Sequence, residues 1–388
     1  MNKKSLIMCL SYPSKNGRPK RFINLLNEMK FEVDVLSYDD FFDKTKIEKL
    51  FTVSQPSKLP VVILFRRIRN SILSLFTKIF KTSKLISLAL KVRFNLFEFS
   101  SLFRQRDYDI IIVQDLNLLP FANEIKKSSK IIFDAREFYP LQNEESFYFN
   151  FFEKPQREYL CKNFLPKCDK VLTVSPGLVK AYRESYDVFP ELIRSTPPYF
   201  KIKPSKTSNS SIKMVHHGIA NKNRNIDRMI KIVNLLDERF TLDFFLTGPK
   251  SNIDYLKKKS NFSKKINFMD PVPFDEIIPM LNKYDLGFYY LEPKGFNVTY
   301  NLPNKFFEFI QARLGLAIGP SPDMAKLVNK YDCGFISKDF SISSMVKTLL
   351  ELDANKINLA KHNSSLAAEE LCFEKESQKL KIMINELS

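Results

Sequence analysis

Short apolar runs alternate along this chain with longer stretches in which apolar residues recur every three or four positions. Continuous runs of four to six apolar residues suit strands covered on both faces, and the periodic stretches suit the helices that cover them. In the first half, strands are expected near Ser5–Leu10, Val33–Leu36, Ile110–Val113, Lys130–Phe133 and Lys170–Val174. Helical periods such as Arg18–Lys30 and Asn117–Lys127 follow them. The pattern restarts with strands at Ile212–His216, Leu242–Leu246, Lys265–Phe268, Leu286–Tyr290 and Leu316–Ile318. This alternation predicts α/β architecture built on parallel sheets. Between the halves, Thr196-Pro197-Pro198-Tyr199 stiffens the chain, and Lys203 to Ser211 has no apolar period. The expected organisation is a first domain over 1–200, a linker over 201–211 and a second domain over 212–365. A closing helical stretch over 366–388 either completes the second domain or crosses back to the first. A chain of 388 residues exceeds the size at which one core stops growing, which also favours two domains.

One segment fits neither half. From Lys58 to Arg106 there are eleven basic residues and a single acid, Glu98. Phe65, Ile68, Ile72, Phe76 and Ile79 recur at steps of three and four, with Arg66, Arg67, Arg69 and Lys78 between them. Leu85, Leu88, Val92, Leu96 and Phe99 repeat the pattern. An apolar stripe with a cationic opposite face suits a helix lying on an anionic membrane surface. The plainer alternative is a pair of ordinary helices packed on the domain with solvated charges. Over the whole chain 61 basic residues face 43 acidic ones, a net charge of +18, which implies polyanionic company. Nucleic acid is not expected as a partner, because no recognition motif or aromatic platform accompanies the charge.

Other classes fall away. After Lys3 and Lys4 only Ser5 to Leu10 is apolar, too short for a signal peptide, and no run of about 18 apolar residues exists to span a bilayer. The five scattered cysteines, Cys9, Cys161, Cys168, Cys333 and Cys372, read as inert thiols of a reducing cytosol. The three histidines have no metal-site spacing, and Asp107-Tyr108-Asp109 has an Asp-x-Asp form but directly precedes a strand. No metal is expected. Neither a Gly-x-Ser-x-Gly elbow nor a Walker loop is present.

In doubly wound sheets, ligands bind where strands end and loops enter helices. The first strand of the second half ends in His216-His217-Gly218, with Lys222 and Arg224 in the following loop. Gly218 lets backbone approach a ligand, and two cations near a helix start suit a diphosphate. Gly248, in Thr247-Gly248-Pro249, offers a second close approach, and Val272, in Pro271-Val272-Pro273, a stiff turn whose main chain can meet a nucleobase edge. The densest cluster is Asn301-Leu302-Pro303-Asn304-Lys305-Phe306-Phe307-Glu308-Phe309. Pro303 suits a helix start, and Lys305 and Glu308 then share a face beside Asn304. Glu308 can accept both hydroxyls of a ribose while Lys305 holds phosphate. The bland alternative is a surface ion pair of little worth.

The ordered set resembles glycosyltransferase family 4, of the GT-B fold with two Rossmann-like domains facing across a cleft. It comprises Ser11-Tyr12-Pro13 with Asn16-Gly17-Arg18-Pro19, then Asp107 to Asp115, Asp134-Ala135-Arg136-Glu137-Phe138-Tyr139-Pro140, and Val174-Ser175-Pro176-Gly177-Leu178. His217-Gly218, Asn223-Arg224-Asn225 and Pro303-Asn304-Lys305-Phe306-Phe307-Glu308 complete it, so that nearly the whole chain outside 58–106 takes part. The resemblance implies retaining transfer of a hexose-type sugar from a nucleotide-sugar, UDP-linked, with no cofactor and no obligatory metal. The acceptor would be a saccharide or a lipid-diphosphate-linked saccharide of bacterial surface-polysaccharide assembly, at the cytosolic face of the cell membrane. By carry-over, Gly218, Lys222 and Arg224 attend the diphosphate with Lys305 assisting, and Glu308 holds the ribose. Gly248, Val272, Tyr300 and Asn304 complete the donor set. Gly17, Arg18 and Asp115 meet the acceptor, and Arg136 and Glu137 join Lys222 and Arg224 at the reacting centre.

Two positions depart from the family pattern. Tyr300 stands where relatives often have a first glutamate, eight residues before Glu308, and Arg136 where many carry a histidine. These departures keep two other readings open: a nucleotide-sugar epimerase on the same fold, and a non-catalytic membrane-associated scaffold.

Overall fold

A computed structural model describes residues 3–38, 44–54, 59–80, 82–221, 224–261 and 263–387. Two compact units emerge, one of Met1–Ile193 with Gly295–Asn297 and Ser377–Ser388, the other of Arg194–Lys294 with Val298–Glu376.

The first unit carries a seven-stranded, all-parallel sheet in the order β3-β2-β1-β4-β5-β6-β7. The strands are β1 (Lys4–Met8), β2 (Glu32–Ser37), β3 (Lys49–Thr52), β4 (Ile110–Val113), β5 (Lys130–Ala135), β6 (Lys170–Thr173) and β7 (Glu191–Leu192). The central strands are mostly apolar, Ile110 to Val113 being fully buried, because helices cover both faces. The order reverses between β1 and β4, so their C-terminal ends flank the crevice where such sheets bind ligands. Helix Gly17–Glu28, capped by Asn16, is tied to this end by a buried ion pair. Arg18 donates from Nε (2.8 Å) and Nη2 (2.6 Å) to the two oxygens of Asp134, and from Nη1 to the carbonyl of Ile193 (3.0 Å). Gln114 Nε2 donates to the same carboxylate. Each guanidinium nitrogen thereby has a partner inside the unit, so that Arg18 braces helix against sheet.

The basic segment forms three helices, Pro60–Phe80, Ser83–Phe94 and Phe97–Arg104. In the first, the whole stripe of Phe65, Ile68, Ile72, Phe76 and Ile79 is exposed, Phe65 to 67% and Ile79 to 65%. The second stripe departs from expectation. Leu96 and Phe99 are buried in the core, and Ser83–Phe94 turns Ile86, Ala89 and Leu90 inward while leaving Leu85, Leu88 and Val92 partly exposed. The reason is register: the residues between the expected positions pack on the unit, which makes this helix part of the domain. Among the described residues no helix is long and apolar enough to cross a membrane.

The second unit has a six-stranded parallel sheet in the order β10-β9-β8-β11-β12-β13. Its strands are β8 (Ile212–Ile219), β9 (Phe240–Thr247), β10 (Ile266–Met269), β11 (Leu286–Tyr289), β12 (Gly315–Ile318) and β13 (Gly334–Ile336). The helix Asn304–Gln311 lies on this sheet with Lys305 to Gln311 all buried. It approaches so closely that a Cβ on Gly287 of β11 would overlap the Phe309 ring. The proline- and serine-rich stretch after Thr196 is fastened to this unit. Gln311 Oε1 accepts from the Phe200 amide (3.0 Å), and Thr207 Oγ1 donates to Asp285 (2.6 Å), which also pairs with buried Lys361 (3.1 Å). At the other end of the chain, helix Phe373–Leu387 runs into residues that belong to the first unit, where Lys381 Nζ meets Glu28 (3.0 Å).

Candidate functional site

The site of the second unit grows from the end of β8. Successive strand residues point to opposite faces, so His216 and His217 separate. His216 Nδ1 meets the Phe288 carbonyl at 2.8 Å. Burial, followed by the charge of Lys305, holds His216 well below the ordinary histidine value, so this ring is neutral and structural. His217 faces helix Asn304–Gln311, its ring edge-on to Phe309 and its Nε2 3.2 Å from Glu308 Oε2. The two are close but not aligned for a hydrogen bond, and Nε2 is left without one.

Gly218 comes next, at φ +127°, where an L side chain is strained. A Cβ there would also sit 2.6 Å from Lys305 Nζ. The glycine thus gives the lysine its room. Lys305 is only 8% exposed, yet its amine has no hydrogen-bond partner, and it lies 5.6 Å from the ring centre of Tyr289. Burial and then the charge of Arg224 push the amine down to about 7, with Glu308 opposing. Asn301 donates to the Tyr289 hydroxyl (3.1 Å), while its own Oδ1 is buried without a partner. Native interiors seldom leave such groups unsatisfied, so several around one strand end call for a polar partner.

Glu308 is 6% exposed, and the helix that carries it is buried. The surface ion pair between Lys305 and Glu308 is therefore corrected: the carboxylate turns to His217, and the amine stays open. Asn304 is exposed at the helix start, and Arg224 is exposed with its amide bonded to the Asn221 carbonyl (3.1 Å). Gly248, exposed at φ +111°, follows β9, and Val272, half-buried against the core, follows β10. Tyr300 is half-buried just before the cluster. Lys222 lies outside the described residues, as does Asn223. His217 stood in the sequence motif but was given no role. Its partner is ninety-one positions away on a helix, and only its place beside Gly218 hinted at a role.

In the first unit, Asp115, Arg136 and Glu137 gather where β4 and β5 end. Asp115 accepts from the Asn117 amide (2.9 Å), and Arg136 Nη2 donates to the Gln114 carbonyl (3.2 Å). Arg136 feels burial most, but Tyr139, Asp134 and Asp115 outweigh it and keep the guanidinium charged. Burial raises Glu137, with a hydrogen bond from Gln142 opposing. Gly17 is half-buried at the start of the capped helix. The Asp-x-Asp pair serves structure: Asp109 accepts from the Lys4 amide (2.7 Å), and Asp107 from Lys127 (2.7 Å). Among the described residues no three His, Cys, Asp or Glu gather as metal ligands.

Two Rossmann-like units in one chain, each with its own parallel sheet, define the architecture. The chain has the GT-B fold. A glycosyltransferase from Rickettsia africae superimposes with a TM-score of 0.67 at 13% identity, covering 100% of this chain and 98% of that one. Sucrose-phosphate synthase from Thermosynechococcus elongatus gives 0.73 at 11%, covering 99% of each. HepE of Anabaena, in complex with UDP and glucose, gives 0.67 at 13%, again over 99% of each. The sequence itself matches no protein family and no curated protein. At these identities the likeness is one of GT-B fold.

Proposed function

We propose that this GT-B chain is a glycosyltransferase of the family 4 type, taking a hexose-type sugar from a UDP-linked donor held by the second unit. The observation that carries the reading is the buried Lys305 amine, unpartnered beside Gly218 and repelled by Arg224. A diphosphate would satisfy the amine and neutralise both cations, and would be stabilised as it leaves without any need for a metal. HepE, which shares the fold, binds UDP and glucose. Glu308, beside His217 at the other end of the same helical turn, would accept ribose hydroxyls. Gly248 and Val272 would border the nucleoside, and Asn304 and Tyr300 the sugar; Lys222 would add a further cation. The first unit would present the acceptor, a saccharide or lipid-linked saccharide of bacterial surface polysaccharide, near Gly17, Asp115, Arg136 and Glu137. Arg136 stays cationic there, and Glu137, whose proton is retained to higher pH, can exchange it with an acceptor hydroxyl. Retention of configuration belongs to this reading, as does attachment to the inner face of the cell membrane through the exposed helix Pro60–Phe80.

Replacing Glu308 with Ala is expected to lower transfer from a UDP-sugar by about a hundred-fold, through loss of hydrogen bonds to a charged group. The melting temperature should change by only a few degrees. Transfer at the wild-type rate would remove Glu308 from the donor site, and isomerisation of a UDP-sugar offered without acceptor would favour an epimerase.

A further inference from the structure

A cavity of about 780 Å³ opens in the first unit between helix Pro60–Phe80, the C-terminal part of helix Ser83–Phe94 and the ends of β2 and β3. Tyr38, Val62, Phe65, Arg66, Arg69 and Arg93 are among its walls, and no described lining residue is acidic. The three arginines are unequally occupied. Arg93 is committed to Glu153 (3.1 Å). Arg69 makes only long bonds, to Asn70 Oδ1 and the Arg93 carbonyl (3.3–3.4 Å). Arg66 Nη1 is shut off from solvent and has no hydrogen-bond partner. A buried guanidinium nitrogen with nothing to donate to, in a cavity larger than any single anion, describes a site shaped for a phosphate with something attached.

What is attached is indicated by the rim. Phe65 and Val62 stand on the cavity wall and also on the exposed apolar face that continues through Ile68, Ile72, Phe76 and Ile79. In the other direction Tyr38 carries the wall toward the end of β1, where its amide donates to the Ser11 carbonyl (3.1 Å) and its ring lies 6.1 Å from that of Tyr12. Burial, then the charge of Asp115, raises the pKa of its hydroxyl. Apolar, anionic and polar parts are thus required of one ligand in that order: a hydrocarbon chain, a phosphate, and a head group extending toward Asp115. We propose that this cavity grips the phosphate or diphosphate of a lipid-borne acceptor through Arg66 and Arg69, with the lipid chain leaving along the face of helix Pro60–Phe80. The acceptor role rests on the transferase reading above; the binding site does not.

Farnesyl diphosphate is a soluble probe with both parts, and inorganic diphosphate and farnesol each supply one. Titrated into the full chain, farnesyl diphosphate should bind at least about ten-fold more tightly than either. The substitution pair Arg66→Gln/Arg69→Gln should weaken it by about ten-fold or more, the loss expected of charge-assisted hydrogen bonds. Arg67→Gln/Lys84→Gln, which removes the same charge from exposed residues of the segment outside the cavity, should change it by less than about two-fold. Lys305→Met separates this site from the donor site, and binding should survive it. Unchanged farnesyl diphosphate binding in the Lys305→Met chain would stand even if UDP bound nowhere. Loss in Lys305→Met with none in Arg66→Gln/Arg69→Gln would overturn the proposal by moving the ligand to the second unit. Equal losses in the two charge-matched pairs, or inorganic diphosphate binding as tightly as the probe, would overturn it as well.

Discussion

At the scale of single residues, Lys305 is the position where stability and function oppose each other. Its amine is buried and unpartnered, so the folded chain carries a desolvated group that nothing in the protein satisfies. Lys305→Met keeps the length of the side chain and removes the polar atom. It should stabilise the chain by on the order of 1–2 kcal/mol, seen as a higher melting temperature, while nucleotide binding is lost. The sign with pH follows from linkage. The folded amine titrates near 7, below the ordinary lysine value of the unfolded chain, so above pH 7 the unfolded state binds the extra proton and wild-type stability rises with pH. The lead of Lys305→Met over wild type should therefore be full below pH 7 and shrink above it. Melting curves of the two chains from pH 6 to 9 test this, and a lead that widened with pH would contradict it. Much of this was readable beforehand: a proline that starts a helix, followed by Lys and Glu three apart, fixed their shared face. Which of the two would find a partner was not readable, because that depends on His217 arriving from β8. Arg18 shows the same limit. Its place beside an acceptor came from the family resemblance alone, and only tertiary packing delivers Asp134 beneath it.

At the scale of elements, the pattern revealed the central strands and one edge, Ile266–Met269, and every strand it missed is an edge. Lys49–Thr52, Glu191–Leu192 and Gly334–Ile336 are two to four residues long and pair on one side only, so each needs few apolar positions and leaves no distinct run. In the basic segment the first stripe was legible because, among the described residues, none buries it. In the second, Leu85, Leu88 and Val92 are exposed as expected whereas Leu96 and Phe99 are buried, because short helices with apolar residues on more than one face have no unique inward side. Helix Pro60–Phe80 now makes a separable prediction. Phe65→Ser/Ile68→Ser/Phe76→Ser removes exposed side chains, so the melting temperature should stay within a few degrees. Co-sedimentation with vesicles containing a fifth phosphatidylglycerol should fall by about ten-fold or more, each deleted side chain giving up apolar burial in the lipid. Wild-type sedimentation by the triple variant would deny the helix a place in the membrane surface.

For the whole molecule, two sheets of like construction have unlike equipment at their strand ends. The first gathers Asp115, Arg136 and Glu137, groups suited to a hydroxyl-bearing partner, beside a cavity lined with arginine. The second gathers an open amine, a glycine with room for nothing more, and a buried carboxylate beside a histidine. The alternation of strands and helices made the doubled architecture legible, whereas the difference between the two strand ends comes from contacts that no local pattern encodes. The central claim is that Lys305 meets a donor diphosphate, and one calorimetric experiment addresses it: UDP titrated into the chain at pH 8 in two buffers of different ionisation enthalpy. An amine that is largely neutral at this pH must take up a proton when phosphate arrives, so the account predicts binding with net proton uptake, and neither in Lys305→Met. UDP binding without proton uptake, or with the same uptake in Lys305→Met, would contradict it.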